Sequence, residues 1–159
     1  MAEKNKQISK KEALSLITRY CSSEERCVYD VQGRLEEFQL SEIDIDEIID
    51  FLKSEKYIDE LRYAFAFVND KFRFNKWGRL KIEYALKQKK IPVNILSKAL
   101  TNIAESDYLA LLREELSKKL RSLPIASNYE LKGKLYRFAA SRGFENDFIL
   151  EVLRELLEE

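Results

Sequence analysis

One apolar pattern occurs three times along this chain. The set Ile82, Leu86, Ile91, Leu96, Ala99, Leu100 and Ile103 maps, 53 residues on, to Leu135, Ala139, Phe144, Ile149, Val152, Leu153 and Leu156. Moved back by 51, it maps to Val31, Leu35, Leu40, Ile45, Ile48, Ile49 and Leu52. Every position is apolar in all three copies. A repeat period near 50 is that of stacked supersecondary units, none of which buries its apolar face alone. The start of each unit repeats less regularly. Ala13, Leu16 and Ile17 map to Ala64, Phe67 and Val68, and only partly to the region of Leu116 and Leu120.

Spacings of three and four within the pattern specify helices. The chain has only four Gly and two Pro, too few turn residues for a β-sandwich or barrel. The expectation is an all-α fold, an elongated right- or left-handed array of three tandem three-helix repeats with about nine helices. A flexible basic arm is expected over 1–8, with repeats over 9–57, 58–105 and 106–159. In the first repeat, helices are expected from Ser9 to Cys21, from a Ser22/Glu25 capping box to about Phe38, and from an Asp44/Glu47 box to about Lys53. In the second, they run from an Asp59 cap to Phe72, from Trp77 to Lys90, and from Pro92, in the first turn, to Ala104. In the third, Ser106 opens a helix to about Leu120, where Leu123-Pro124 breaks it. Ser127 with Glu130 opens the next, to Arg142, with Gly143 as a left-handed cap. The last spans Glu145 to Leu157.

The sequence has no histidine, which removes histidine-based nucleophilic catalysis, histidine metal sites and the usual general base near neutral pH. Cys21 and Cys27 are six apart, neither a redox pair nor a zinc framework, and read as reduced thiols. The four glycines never cluster into a phosphate loop. Adjacent carboxylates such as Glu24-Glu25, Glu36-Glu37, Glu114-Glu115 and Glu158-Glu159 do not share a helix face. No catalytic residue, metal site or cofactor is expected. No apolar run reaches the roughly 20 residues of a membrane span, and the polar start, Met1 to Lys11, is unlike a signal peptide, so a cytoplasmic protein is expected. No heptad seam stands out, and monomer is the default.

Charge is balanced at 28 basic and 28 acidic residues but is unevenly placed. Glu36 to Glu60 holds ten acids against Lys53 and Lys56, Lys71 to Lys90 holds eight bases against Glu83, and the last fifteen residues hold six acids against Arg154. A basic middle between acidic ends can face a polyanion or an acidic protein groove, although segregated charge is also common on solvated helices. The stretch Lys71-Phe72-Arg73-Phe74-Asn75-Lys76-Trp77-Gly78-Arg79 interleaves cations with rings, which suits single-stranded nucleic acid. The same rings can instead pin a helix corner into the core. The partner- or DNA-facing candidates are Lys71, Arg73, Lys76, Arg79, Lys81 and Lys87, with Arg19, Arg26 and Arg34 as a second group.

The segment Tyr57-Ile58-Asp59-Glu60-x-Arg62-Tyr63-Ala64-x-x-Phe67-Val68 resembles the signature of the RecX family, regulators of the bacterial RecA recombinase. So does Lys76-Trp77-Gly78-Arg79-x-Lys81-Ile82-x-x-x-Leu86-x-x-Lys89-x-Ile91, at the family's spacing. Ser22-x-x-Glu25 leading to Val31-x-x-Arg34-Leu35 is similar to an upstream family element. The chain departs from the pattern at Glu60, where the family usually has Asp, at Trp77, and at Lys90, where it often has a turn-making Gly. The resemblance covers roughly residues 10 to 157. It implies tandem three-helix units and a binding regulator, not an enzyme. Such a protein lies along the groove of RecA–DNA filaments and reduces strand exchange, ATP hydrolysis and co-protease activity. The alternative from the residues alone is a helical-repeat module that binds single- or double-stranded DNA without RecA.

Overall fold

The computed structural model describes residues 7–157. Most of the arm expected over 1–8, and Glu158-Glu159, lie outside them. The described residues form nine α-helices and no strand: α1 (Lys10–Ser23), α2 (Val28–Glu36), α3 (Glu42–Ser54), α4 (Glu60–Arg73), α5 (Arg79–Gln88), α6 (Val93–Thr101), α7 (Glu105–Ser122), α8 (Asn128–Ser141) and α9 (Asn146–Leu157). No described helix is long and apolar enough to cross a membrane.

Packing groups the helices in threes. Each of α1, α2 and α3 packs on the other two, and the same holds for α4–α6 and for α7–α9. The repeated apolar positions supply the cores. Ile82, Leu86, Leu135, Ala139, Val31 and Leu35 are fully or almost fully buried, as are Ile48, Leu52, Ile149 and Leu153. Each large aliphatic among them contributes about 1.5–3 kcal/mol of transfer free energy.

The first helices follow a register of their own. Ala13, Ile17 and Cys21 are buried on α1, Ala64, Val68 and Phe72 on α4, and Tyr108, Leu112 and Leu116 on α7. From α1 to α4 the offset is 51. From α4 to α7 it is 44 (64 to 108, 68 to 112, 72 to 116), against 53 for the second helices, because α7 (18 residues) and α8 (14 residues) are longer than α4 (14 residues) and α5 (10 residues). The expected match at Leu116 and Leu120 was therefore displaced, and Leu16 is exposed, not core.

Four helices carry their own N-cap: Ser9, Ser41, Asp59 and Ser127 each accept the backbone N–H three residues on. Several expected helix openings are corrected. Asp44 is inside α3, whose cap is Ser41. Ser22 is inside α1, where its hydroxyl donates to the Thr18 carbonyl at 2.8 Å, so it caps nothing in α2. Ser106 likewise sits in the first turn of α7, after Ala104, and Pro92 is the cap position of α6 rather than its first turn.

The second helices of the first two units begin without a cap of their own, and the next unit supplies one. The Val28 N–H donates to Glu60 Oε1 of α4 at 2.8 Å. The Arg79 N–H donates to the Tyr108 hydroxyl of α7 at 3.0 Å. At this second joint two further N–H groups are taken up. Gly78 donates to the Arg142 carbonyl at 2.7 Å and Leu80 to the Gly143 carbonyl at 2.9 Å. The amino end of α5 thus abuts the carboxyl end of α8, and their opposite partial charges attract. This approach needs both glycines. A Cβ at Gly78 would lie 2.4 Å from the Gly143 carbonyl carbon, and one at Gly143 would lie 2.4 Å from Lys81 Cβ.

The joint between the first two units is built differently. The equivalents of Gly78 and Gly143 there are Cys27 and Lys90, both with side chains. Ion pairs take over: Lys89 with Asp30 at 2.6 Å and Arg62 with Glu25 at 2.7 Å. Arg62 also holds the Lys56 carbonyl at 3.1 Å. Cys27 is fully buried, against Tyr63, and burial pushes its thiol up to about 12. Both cysteines are buried free thiols.

In all three units the second helix ends in a left-handed residue at the matching position: Gln39 (φ 57), Lys90 (φ 59) and Gly143 (φ 92). Left-handed backbone costs a side-chain-bearing residue about 1–2 kcal/mol, while glycine adopts it freely at some cost in chain entropy. Lys90→Gly is therefore expected to stabilise by about 0.5–1 kcal/mol in urea denaturation. The four glycines separate by the same logic. Gly33, inside α2 with open space around it, should gain about 1 kcal/mol as Ala. Gly78→Ala should instead lower the melting temperature, because the backbone of the next unit fills the space its Cβ needs.

Candidate binding surface

The six basic candidates do not form one group. Lys71, in the last turn of α4, places Nζ 4.9 Å from the centroid of the Trp77 ring and 5.4 Å from that of Phe67. Lys81, in the first turn of α5, places its Nζ 4.6 Å from the same Trp77 ring. Trp77 is half-buried, Phe72 is buried, and Phe74 is exposed. The interleaved stretch therefore divides: Phe72 belongs to the core, Phe74 to solvent, and Trp77 to a surface plate with two ammonium groups on it. Such contacts are worth about 0.5–1 kcal/mol each when exposed.

Arg73 is exposed at the end of α4, beside Asn102 and Asp107. Lys76 turns the chain between α4 and α5 in left-handed backbone. It is near enough to Glu114 to add to the downward pull on that carboxyl, after the larger effect of Lys118. Lys87 is exposed and paired with Glu83 at 2.9 Å, one turn back on α5.

Arg79 is not a surface candidate at all. Its guanidinium lies 4.0 Å from the Tyr108 ring centroid, pairs with Glu145 at 3.4 Å and donates to the Ile103 carbonyl at 3.4 Å. Tyr108 is fully buried beneath it, with its hydroxyl bonded to Glu145; its ring stacks on Phe72, meets Phe144 at a tilt and meets Phe148 edge-on. Burial first, then the Glu145 bond, push the phenol well above its ordinary range. Arg79 is the pin of the second joint.

The basic-aromatic surface continues into the third unit. Arg142 Nη1 donates to the Asn75 carbonyl at 3.4 Å, and its guanidinium lies 4.9 Å from the Phe138 ring centroid, with Lys119 Nζ at 5.4 Å from the same ring. Lys81 sits against Gly143, next to Arg142. Lys71, Trp77, Lys81, Arg142, Phe138 and Lys119 thus form a strip that crosses the joint. Phe138 on α8 and Arg142 at its C-cap are four apart, a spacing visible in sequence. Lys119 comes from α7 and carries no such signal.

Of the second group, Arg26 and Arg34 converge on Tyr20, at 3.9 and 5.7 Å from its ring centroid, and pair with Glu24 and Glu37 respectively. Arg19 stands exposed on α1. Among the described residues, no group of three or more Cys, Asp or Glu side chains could hold a metal ion.

Family comparisons match the second and third units. The model for the second three-helix domain of RecX matches residues 59–100, and that for the third matches 105–153. The regulatory protein RecX of Chlorobium phaeobacteroides is 30% identical over 146 residues, covering 92% of this chain and 94% of that one. Its counterpart in Clostridium acetobutylicum is 29% identical over 161 residues, covering 99% of this chain and 72% of that one. Against one Clostridium botulinum RecX, 33% identical, the chain spans only 53% of the relative's length. The crystal structure of RecX from Lactobacillus salivarius superposes with a TM-score of 0.87 over 94% of this chain and 97% of that one; at 22% identity this likeness speaks to fold.

The Tyr108 hydroxyl satisfies the Arg79 N–H and reaches Glu145, so Tyr108→Phe should cost about 1–3 kcal/mol while keeping the ring stack. Urea denaturation of the variant checks this; an unshifted midpoint would show that the joint does not depend on the hydroxyl.

Proposed function

This chain belongs to the RecX family, and on that premise we propose that it regulates the RecA recombinase by binding RecA–DNA filaments along their groove. It acts there as a binding protein in the cytoplasm, not as an enzyme, and as a monomer. Bound across adjacent protomers, it opposes the rearrangements they need for ATP hydrolysis, strand exchange and co-protease activity.

The observation that carries this reading is the strip of cations and rings from Lys71 to Lys119, which spans two units of a linear array. A linear array can follow a helical groove, and a one-sided positive strip fixes which face turns toward an anionic surface. The acids of α3, at the other end of the array, repel the same surface and set its orientation.

A second reading is favoured by the same strip: direct binding of single-stranded DNA without the recombinase, since ammonium groups over aromatic plates are what an unstacked strand uses. Affinity for DNA alone separates the two. A DNA-binding module binds tightly with a steep salt slope, whereas a filament regulator needs the recombinase for its affinity.

The decisive test is titration into RecA filaments on single-stranded DNA, followed by ATP hydrolysis. Suppression below one protein per recombinase protomer is expected. The double reversal Lys71→Glu with Lys81→Glu should weaken inhibition about tenfold, or ~1.4 kcal/mol, with helicity and melting nearly unchanged. Full inhibition by that folded variant would move the contact elsewhere. Arg79 is left out of the reversal because its loss would break the joint.

A further inference from the structure

The outer face of α8 holds an open hollow of about 460 Å³, and none of the residues lining it belongs to the strip. Two tyrosines bound it. Tyr129 and Tyr136 are seven residues apart, so they stand on one helix face about 10 Å apart along the axis. Between them lies Gly133, where the helix carries no side chain. Tyr136 is half-buried, and its hydroxyl donates to Asn146 Oδ1 at 2.8 Å, which holds that side of the gap in place. Tyr129 is 89% exposed and has no ring or hydrogen-bond partner among the described residues.

One exposed ring needs no explanation, but this one borders a gap that the sequence keeps open against helix propensity. Glycine in mid-helix is disfavoured relative to alanine. No backbone contact demands it here, as one does at Gly78. A Cβ at Gly133 would meet only the far end of Arg137, with Nη1 at 3.3 Å and Nη2 at 3.8 Å. Lys134 and Arg137 flank the gap, both exposed and neither paired with an acid among the described residues. Glu130 is the only acid of the lining, against Lys132, Lys134 and Arg137. Lys134, Phe138 and Arg142 follow one another at intervals of four, so Lys134 shares a side of the helix with the strip. A gap between two rings takes a flat group, and cations beside it take negative charge. A nucleotide offers both, with its base faces free only when the strand is single.

We propose that the face of α8 from Tyr129 to Arg137 is a base-stacking site for single-stranded DNA. A base enters between Tyr129 and Tyr136 over Gly133, and Lys134 and Arg137 take the flanking phosphates. The proposal rests on the second reading above, direct binding of a single strand. It gives that strand a site on the third unit, separate from Lys71, Trp77 and Lys81 and continuous with them through Lys134, Phe138 and Arg142.

The test titrates the full chain into a fluorescent oligothymidylate of about 12 nucleotides and follows anisotropy. Tyr129→Ala, at an exposed position, should weaken binding about tenfold with melting unchanged. Gly133→Ala fills the floor of the gap and should weaken binding about fivefold while raising the melting temperature, a pair of effects that damage to the fold would not produce. An abasic oligomer of the same length should bind the unaltered chain more weakly, and should not distinguish it from either variant. Lys71→Glu with Lys81→Glu removes the strip's contribution alone. Undiminished binding by both α8 variants, with loss in the strip variant, would overturn the site and leave the second reading standing. No binding of the oligothymidylate to the unaltered chain would overturn both. Equal affinity for the abasic oligomer would show that no base is held between the rings, and would overturn the site.

Discussion

Everything in this array depends on N–H groups that one unit cannot satisfy for itself. The opening turn of any helix has donors without intrahelical partners, and most helices cover one with a serine or aspartate at the cap. Here α2, α5, α6 and α7 do not, and for α2 and α5 the next unit covers one. Glu60 reaches back from α4 to the Val28 N–H, and Tyr108 reaches back from α7 to the Arg79 N–H. The last of the second helices described, α8, carries its own cap, Ser127. The borrowed caps give the signature residues their roles. Asp59 caps α4, Glu60 caps α2, Arg62 ties Glu25 and the Lys56 carbonyl, and Tyr63 packs on Cys27.

The two joints are built differently for a reason that can be traced to single atoms. Where both facing positions are glycine, backbone meets backbone and two hydrogen bonds form at 2.7 and 2.9 Å. Where they are cysteine and lysine, the backbones stay apart and the contact passes to long side chains. Ion pairs with partly exposed partners are weak and screened by salt. The second and third units accordingly share one apolar core, to which Cys27 of the first unit also belongs, while the rest of the first unit keeps a core of its own. The basic-aromatic strip lies across the joint where backbone meets backbone.

Much of this was legible in the sequence. The repeated apolar set places the second and third helices of every unit, because those positions are core whatever the neighbours do. Gly143 at a left-handed cap follows from one residue type, and Lys90 at the same place follows from the repeat. The first helices were harder. Their burial depends on how α7 was lengthened, and a fixed offset applied to the third unit lands on Leu116 and Leu120 when the true set begins at Tyr108. Ser22 followed by Glu25 has the form of a capping box, but α1 runs on through it, and the cap that replaces it comes from 32 residues away. Arg79 misled for the same kind of reason. In sequence it is one cation among eight, and only the burial of Tyr108 and the position of Glu145 turn it into a pin.

The contact between Gly78 and residues 142 and 143 has a consequence for how the chain is made. Synthesis delivers the second unit well before the third. Until Arg142 and Gly143 have emerged, the amino end of α5 has neither its carbonyl partners nor the Tyr108 ring stack completed by Phe144 and Phe148. The second unit therefore waits, partly formed, for a segment near the far end of the chain, and the two mature together as one cooperative block. The first unit, with its separate core, is free to form earlier. Its one deep tie to that block, the thiol of Cys27, is sealed only when α4 arrives.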